Sequence, residues 1–300
     1  MKSGFVTIVG RPNAGKSTLI NSFTGEKVAI TSAKPQTTRT NLKGIVNREG
    51  CQLIFIDTPG IHSPRNKLGE YMVESAYQGM EAVDAVIYMF DALEAQKHGM
   101  PKGDEDIIAK LAELKNTPVF LAVNKVDAVP KESILGMIAE LASKMEFKDV
   151  FPISALKKDG TEMLLQAVEE VMPEGPAYYD SEIITDSTVK EICAEMIREK
   201  ILRFTSEEVP HGSGVEIIIF KEPKDKRGSV LIEANIYCEK QSHKGILIGK
   251  DGAMLKRIGT SARYDMEKLL GQKVNLKLWV KVKDDWRNSP GMLKELGYTK

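Results

Sequence analysis

Cysteine is scarce in this chain: Cys51, Cys193 and Cys238 are isolated, odd in number and without metal-ligand spacing among 300 residues. That pattern excludes a disulfide-stapled fold and a cysteine-held metal, and the thiols are expected to be reduced and partly buried. Long apolar runs are also missing. No stretch approaches the ~18 residues that cross a bilayer, which leaves only peripheral contact with a membrane. The first residues enter a strand pattern almost at once, so no signal peptide is expected. Net charge is absent too, with 42 basic against 42 acidic side chains. There are no internal repeats or low-complexity tracts. What is present is 42% hydrophobic residues over a length that favours about two domains, enough for two cores.

Residues Gly10-Arg11-Pro12-Asn13-Ala14-Gly15-Lys16-Ser17 fill the pattern G-x-x-x-x-G-K-S/T directly after the apolar run Phe5-Val6-Thr7-Ile8-Val9. A chain wrapped that tightly aims successive backbone N–H groups at a phosphate chain, beside the N-terminus of the next helix. Lys16 then reaches the β- and γ-phosphates, Ser17 ligates Mg²⁺, and Thr18 completes the loop. The base is read further on. After the strand-like run 119–123 comes Asn124-Lys125-Val126-Asp127. A carboxylate at Asp127 accepts from both N1–H and the exocyclic amine of guanine, a donor pair that adenine lacks; such sites discriminate by about 10⁴–10⁵. Asn124 is expected to tie this loop to the phosphate loop, and the stem of Lys125 to cover the ring. Ser154-Ala155-Leu156 follows another short apolar run and would offer backbone N–H groups to the guanine O6.

Between these segments lies the metal chemistry. The run Leu53-Ile54-Phe55-Ile56 delivers Asp57-Thr58-Pro59-Gly60. Asp57 is placed to hold Mg²⁺ through a water, and the Gly60 N–H to sense the γ-phosphate. The polar stretch 31–39 follows neither apolar period and is a candidate switch. One of Thr37 and Thr38, with Thr38 preferred, would complete the Mg²⁺ shell when GTP is bound and let go afterwards; a solvated turn is the alternative.

The overall neutrality conceals a basic C-terminal segment. From Lys240 to Lys283 there are eleven Lys and Arg against Asp251, Asp265 and Glu267. Alone this would be a solvated face. It surrounds Ile248-Gly249-Lys250-Asp251-Gly252, a G-x-x-G loop that runs into an amphipathic segment with Met254, Leu255 and Ile258 inward and Lys256 and Arg257 beside them. The segment resembles a KH domain, and that resemblance implies a turn that brings the backbone close to about four nucleotides of single-stranded RNA, with Lys250 supplying charge and Asp251 turned to solvent.

Strands are expected at 5–9, 42–47, 53–57, 85–90, 119–124 and 150–154, alternating with helices such as 67–83, 104–115 and 160–171. That predicts a doubly wound α/β domain over 1–172. A linker over 173–184 follows. The remainder, 185–300, predicts a smaller α+β domain with helices at 189–204 and 255–270 and strands at 215–221, 230–239 and 274–282.

The nucleotide motifs resemble those of translation-factor-related GTPases, and the G-x-x-G segment resembles a type II KH domain. Where Ras-like relatives place a water-orienting glutamine, this chain has Ile61, which cannot hydrogen-bond a nucleophile. Asn13 matches the asparagine that helps hold a monovalent cation in potassium-stimulated relatives. His62 reads as an exposed side chain rather than a base. Together with Lys34-Pro35-Gln36-Thr37-Thr38-Arg39, Pro173-Glu174-Gly175-Pro176, Ile197-Arg198-Glu199-Lys200 and Leu278-Trp279-Val280-Lys281-Val282-Lys283, these motifs resemble the Era family of GTPases nearly end to end. The resemblance implies slow GTP hydrolysis with Mg²⁺ and a role for K⁺. It also implies a KH domain on the 3′ end of small-subunit ribosomal RNA, and a monomer in the cytoplasm with a peripheral fraction at the inner membrane face. Two other readings stand beside it: a GTPase whose basic domain meets a protein partner or anionic lipid, and a metabolic P-loop enzyme acting on a nucleotide.

Overall fold

A computed structural model describes residues 1–298 apart from Ala33, Pro35, Gln36, Ile61, His62, Ser63, Arg65, Met80, Glu81, Lys226 and Arg227. Ile61 and His62, both singled out above, thus lie outside the described residues. The chain divides into two compact units: Met1–Thr31, Thr38–Pro64 and Met72–Asp186 form the first, and Ser32–Thr37, Arg65–Tyr71 and Ser187–Lys300 the second.

In the first unit, β1 (Lys2–Val9) leads through the phosphate loop into α1 (Lys16–Thr24), and β2 (Leu42–Arg48) turns back into β3 (Cys51–Asp57). Then come α2 (Lys67–Gln78), which groups with this unit from Met72 onward, β4 (Ala85–Asp91), α3 (Ala92–His98), α4 (Lys102–Leu111), β5 (Val119–Asn124), α5 (Lys131–Ala142), β6 (Asp149–Ile153) and α6 (Thr161–Glu170). The six strands form one sheet in the order β2-β3-β1-β4-β5-β6. Only the β2–β3 pair is antiparallel. Because side chains alternate across a strand, one sheet face buries Val6, Ile8, Phe55, Ile87 and Met89 with Leu19 and Ile20 of α1 and Leu164 and Val168 of α6. The other face packs Val9, Val86, Tyr88, Phe90 and Leu121 with Ile107, Ile108 and Leu111 of α4 and Ile134 and Leu141 of α5. The parallel strands are therefore apolar on both sides, and their carboxyl ends gather the loops that carry the motifs.

Several boundaries differ from expectation. The helix expected over 67–83 stops at Gln78, closed by the Gly79 amide on the Ser75 carbonyl. Ala82 then takes φ +53°, and Asp84 is drawn to β1, accepting from Phe5 N at 2.8 Å. The helix expected over 104–115 occupies Lys102–Leu111 and unwinds through tight turns at Glu113 and Leu114. The run before the G-x-x-G loop is itself a short helix.

Residues 173–184, read above as a linker, run along the first unit. The Ser3 amide donates to Pro173 O at 3.0 Å and Ile45 N to Ile184 O at 2.8 Å, so the segment covers the edge strand β2. Gln52, 1% exposed, holds it from below. Its Oε1 accepts from Tyr178 N at 2.7 Å and Tyr179 N at 3.0 Å, while Nε2 donates to Tyr179 O at 2.8 Å and Asn47 Oδ1 at 2.7 Å.

The second unit contains α7 (Val189–Phe204), β7 (Gly214–Lys221), β8 (Ser229–Cys238), α8 (Gln241–Ile248), α9 (Ala253–Leu270), β9 (Lys273–Val282) and α10 (Pro290–Glu295). Its sheet runs β7-β8-β9, with β7–β8 antiparallel and β8–β9 parallel. Thr188 caps α7 through a reciprocal box with Glu191. Met196, Ile197 and Ile201 of α7 and Ile258, Ala262 and Met266 of α9 meet Ile232, Ala234 and Ile236 of β8 in the core. All three cysteines are free and buried, Cys51 in the first core and Cys193 and Cys238 in the second.

Gln52→Ala leaves two linker amides without their acceptor and should cost about 3 kcal/mol in urea unfolding of the full chain. A change below about 0.5 kcal/mol would show that the linker segment is held elsewhere.

Candidate functional site

The phosphate loop bridges β1 and α1, and its glycine at the helix start is dictated by crowding. Gly15 has φ +105°, and a Cβ there would stand 2.2 Å from Asn124 Nδ2. Asn124, 3% exposed at the end of β5, donates from that nitrogen to Ala14 O at 2.7 Å and accepts from Ala155 N at 3.0 Å through Oδ1. One side chain thus joins the phosphate loop, the Asn-Lys-x-Asp turn and the Ser154–Leu156 turn. Gly10, Arg11, Pro12, Asn13 and Ala14 complete the loop, with Asn13 at φ +67°. Lys16, 6% exposed, donates to the carbonyls of Gly10 at 3.0 Å and Arg11 at 3.1 Å. Burial lowers its pKa, opposed by Asp57 and then Asp104. A buried cation hydrogen-bonded to two carbonyls is well matched to an incoming polyanion.

Three oxygens meet beside it. Ser17 Oγ donates to Asp57 Oδ2 at 2.6 Å, Thr38 Oγ1 donates to the same oxygen at 3.0 Å, and the two hydroxyls lie 3.0 Å apart. Asp57 is fully buried, and its Oδ1 has no hydrogen-bond partner among the described residues. Burial raises the Asp57 pKa against Lys16, Ser17 and Thr38. An orphaned carboxylate oxygen, two hydroxyls and a neighbouring phosphate pocket form the hard-oxygen set that suits Mg²⁺ completed by phosphate and water. The next residue, Thr58, is turned inward, its hydroxyl donating to Ile8 O at 2.8 Å. Pro59 follows, and Gly60 packs on the phosphate loop, where an added Cβ would stand 2.7 Å from Pro12 N.

In the Asn124–Asp127 turn, Lys125 takes the left-handed conformation at φ +67°, and its Nζ meets Asp91 Oδ2 at 2.5 Å. Val126 and Asp127 begin a short 3₁₀ turn. The Asp127 carboxyl is held below the usual range by hydrogen bonding from Ser154, with Lys157 adding to it; Lys157 Nζ lies 3.2 Å away. An ionised acceptor is thus kept beside the Ser154–Leu156 turn. Leu156 beside it is 81% exposed. Asp91 and Lys157 did not emerge from the motifs. The available signal was a carboxylate at the carboxyl end of a central strand and a lysine directly after Ser154–Leu156.

In the second unit, α8 and α9 meet at the G-x-x-G turn. Gly249 has φ +72°, and a Cβ there would stand 2.8 Å from Met254 Cβ and 2.9 Å from Met254 N. Glycine is therefore required by the joint between the helices as well as by any approaching strand. Lys250 and Asp251 are exposed, as are Lys256 and Arg257, while Ile248 and Gly252 are half-buried. Arg257 lies over the Phe204 ring at 4.2 Å. The short run Ser32–Thr37 groups with this unit, where Arg198 donates to the Thr37 carbonyl.

Comparison with known proteins agrees with both constructions. Residues 5–125 match the family model described as 50S ribosome-binding GTPase, and residues 208–287 match the KH domain model. The chain is 52% identical over 297 residues to the GTPase Era of Ruminiclostridium cellulolyticum, covering 99% of this chain and 97% of that one. It is 50% identical to the GTPase Era of Clostridium novyi, covering 99% of each. Among solved structures, a variant of Aquifex aeolicus Era bound to GDP·AlF₄⁻ superposes with a TM-score of 0.94 at 39% identity over 100% of both chains. An Era in complex with MgGDPNP and nucleotides 1506–1542 of 16S ribosomal RNA gives the same score, identity and coverage. With a nucleotide site built on Asn124 and Asp57, a KH unit after it and relatives alike from end to end, the chain belongs to the Era family of GTPases.

Proposed function

We propose that this chain binds and hydrolyses GTP with Mg²⁺, binds small-subunit ribosomal RNA near its 3′ end through the KH unit, and acts in small-subunit assembly. The observation that carries the nucleotide half is the meeting of Ser17, Thr38 and Asp57 beside a buried Lys16. The RNA half is supported by the exposed Lys250, Lys256 and Arg257 around the G-x-x-G turn and by the related Era solved with 16S ribosomal RNA.

In this reading the phosphates take the place of the Gly10 and Arg11 carbonyls as acceptors for Lys16. The loop amides of Asn13 to Ser17 hold the chain in line for attack. Ser17 and Thr38 ligate Mg²⁺, and Asp57 holds it through water. The metal supplies charge that offsets what builds up on the β- and γ-phosphates in the transition state. Because Ile61 offers no hydrogen bond to a nucleophile, basal turnover is slow. Asn13 would then help hold K⁺, which would supply positive charge beside the phosphates. A monomeric state and a cytoplasmic location with a peripheral fraction at the inner membrane face complete the proposal. Among the described residues no helix is long and apolar enough to cross a membrane.

Asp127→Asn should weaken GTP binding and shift preference towards xanthine nucleotides, since the amide donates to a 2-oxo group where the carboxylate accepted an amine. Competition between GTP and XTP measures this, and undiminished GTP affinity removes Asp127 from the base site. Replacing Na⁺ by K⁺ should speed wild-type hydrolysis and affect Asn13→Ala less. Equal wild-type rates in the two salts leave Asn13 without a catalytic role.

Lys250→Asp keeps both glycines but places two carboxylates where phosphate passes. RNA affinity should fall steeply and its salt dependence flatten. Folding should change by no more than about 0.5 kcal/mol on so exposed a turn, and basal hydrolysis should survive. Filter binding to single-stranded RNA and to anionic vesicles, on one preparation, decides it. Unchanged RNA binding, or vesicle binding alone, overturns the KH reading.

A further inference from the structure

One buried acid outside the motifs stands against the phosphate loop. Asp104, in the first turn of α4, is 3% exposed. Tyr88 of β4 donates its hydroxyl to Oδ1 at 2.8 Å, and the Arg11 guanidinium approaches Oδ2 at 3.8 Å. Arg11 follows Gly10 in the phosphate loop, and its carbonyl accepts from Lys16 Nζ at 3.1 Å and from Ala14 N at 3.3 Å. The side chain held by Asp104 therefore belongs to the residue whose backbone holds the loop lysine. The fit is close: a Cβ on Gly103 would stand 3.4 Å from Arg11 Nε, so Arg11 lies across the first turn of α4. Tyr88 is fully buried, its ring stacked 6.3 Å from Phe147, which fixes the hydroxyl on Asp104.

We propose that Asp104 is a positioning residue for the phosphate loop, acting through Arg11, and that it makes guanine-nucleotide affinity sensitive to protons. This deepens the nucleotide reading above and rests on it. A charged partner fixes the Arg11 side chain, and the Arg11 backbone carries the peptide frame that presents the loop amides; preorganisation of that frame sets how much ordering the nucleotide must impose.

The groups facing Asp104 are Tyr88 and Asp91 from β4, Arg11 from the loop and Lys16 from α1. Burial pushes its pKa from the ordinary 3.8 up to about 6, against the Tyr88 hydrogen bond, Arg11 and Lys16, with Asp91 adding to the rise. Above that value the carboxylate holds Arg11; below it a proton cancels the pair. The effect on folding has the opposite direction. A folded value above the unfolded one means that the folded chain binds the extra proton between these two values. The ionised group therefore costs stability, and that cost is fully present above about 6. An acid kept for packing alone would be better replaced by its amide.

The test is fluorescent GDP affinity of full-length wild type and Asp104→Asn from about pH 5.5 to 8, with urea unfolding of the same preparations. Titration of the ligand's own phosphates cancels in the comparison. Asp104→Asn should bind about tenfold more weakly near neutral pH, the lower end of what loss of an orienting partner costs, with unfolding free energy equal or higher. The gap should close towards acid as the wild-type carboxyl takes up its proton. Tyr88→Phe removes a hydrogen bond that favours the charged form, so its acid midpoint should move to higher pH. Equal affinities of wild type and Asp104→Asn across the range overturn the proposal. So does weaker binding that tracks lower stability without closing in acid. Should Asp104→Asn fail to fold, an unmoved midpoint in Tyr88→Phe overturns it. Absence of wild-type GDP binding would instead overturn the nucleotide reading itself.

Discussion

The nucleotide site turns on a single amide side chain. Asn124 donates to Ala14 O and accepts from Ala155 N, and both hydrogen bonds are buried, where an unmet partner costs about 1–3 kcal/mol. The three loops it joins are distant in sequence and each is short, so none is rigid by itself. Parallel strands bring their ends to one edge of the sheet, and Asn124 locks the ends together. Gly15 is glycine because that amide nitrogen occupies the space a Cβ would need. The sequence pattern G-K-S and the sequence pattern N-K-x-D are thus two halves of one packing constraint.

Around this lock, charge is stored in positions that burial makes costly. Lys16 is buried against two carbonyls, and Asp57 keeps one oxygen without a hydrogen-bond partner among the described residues; burial shifts each towards its neutral form. Phosphate and Mg²⁺ restore what burial removes. On the proposed reading, part of the affinity comes from relieving that imbalance, as in other preorganised electrostatic sites. The second unit uses a different device. Its G-x-x-G turn is set by the approach of Gly249 to Met254, which leaves the side chains of Lys250 and Asp251 on an exposed rim.

Much of this was legible in the sequence because the chemistry fixes residue type at fixed spacing. The phosphate loop, Asp57 and Asn124 come together in the structure as their spacing predicts, and the proposed role of Asp127 calls for a carboxylate. The doubly wound sheet was legible from its unbroken apolar strands. Asp104, Tyr88 and Asp91 were not, because their partners lie far along the chain and nothing local marks a carboxylate in a first helical turn as buried. Helix α8 escaped because eight residues containing Gly245 show no amphipathic period. The end of α2 was overextended, since apolar spacing continues past Gln78 while Gly79 and the pull of Phe5 on Asp84 stop the helix.

If Asn124 preorganises the site, its effect must be present before nucleotide binds. Hydrogen exchange of the nucleotide-free protein measures this at the Ala155 amide, whose acceptor is Asn124 Oδ1. The account predicts strong protection of that amide in the wild type and its loss in Asn124→Ala, together with faster exchange in the phosphate loop. Equal exchange of Ala155 and of the loop amides in the two proteins would contradict it.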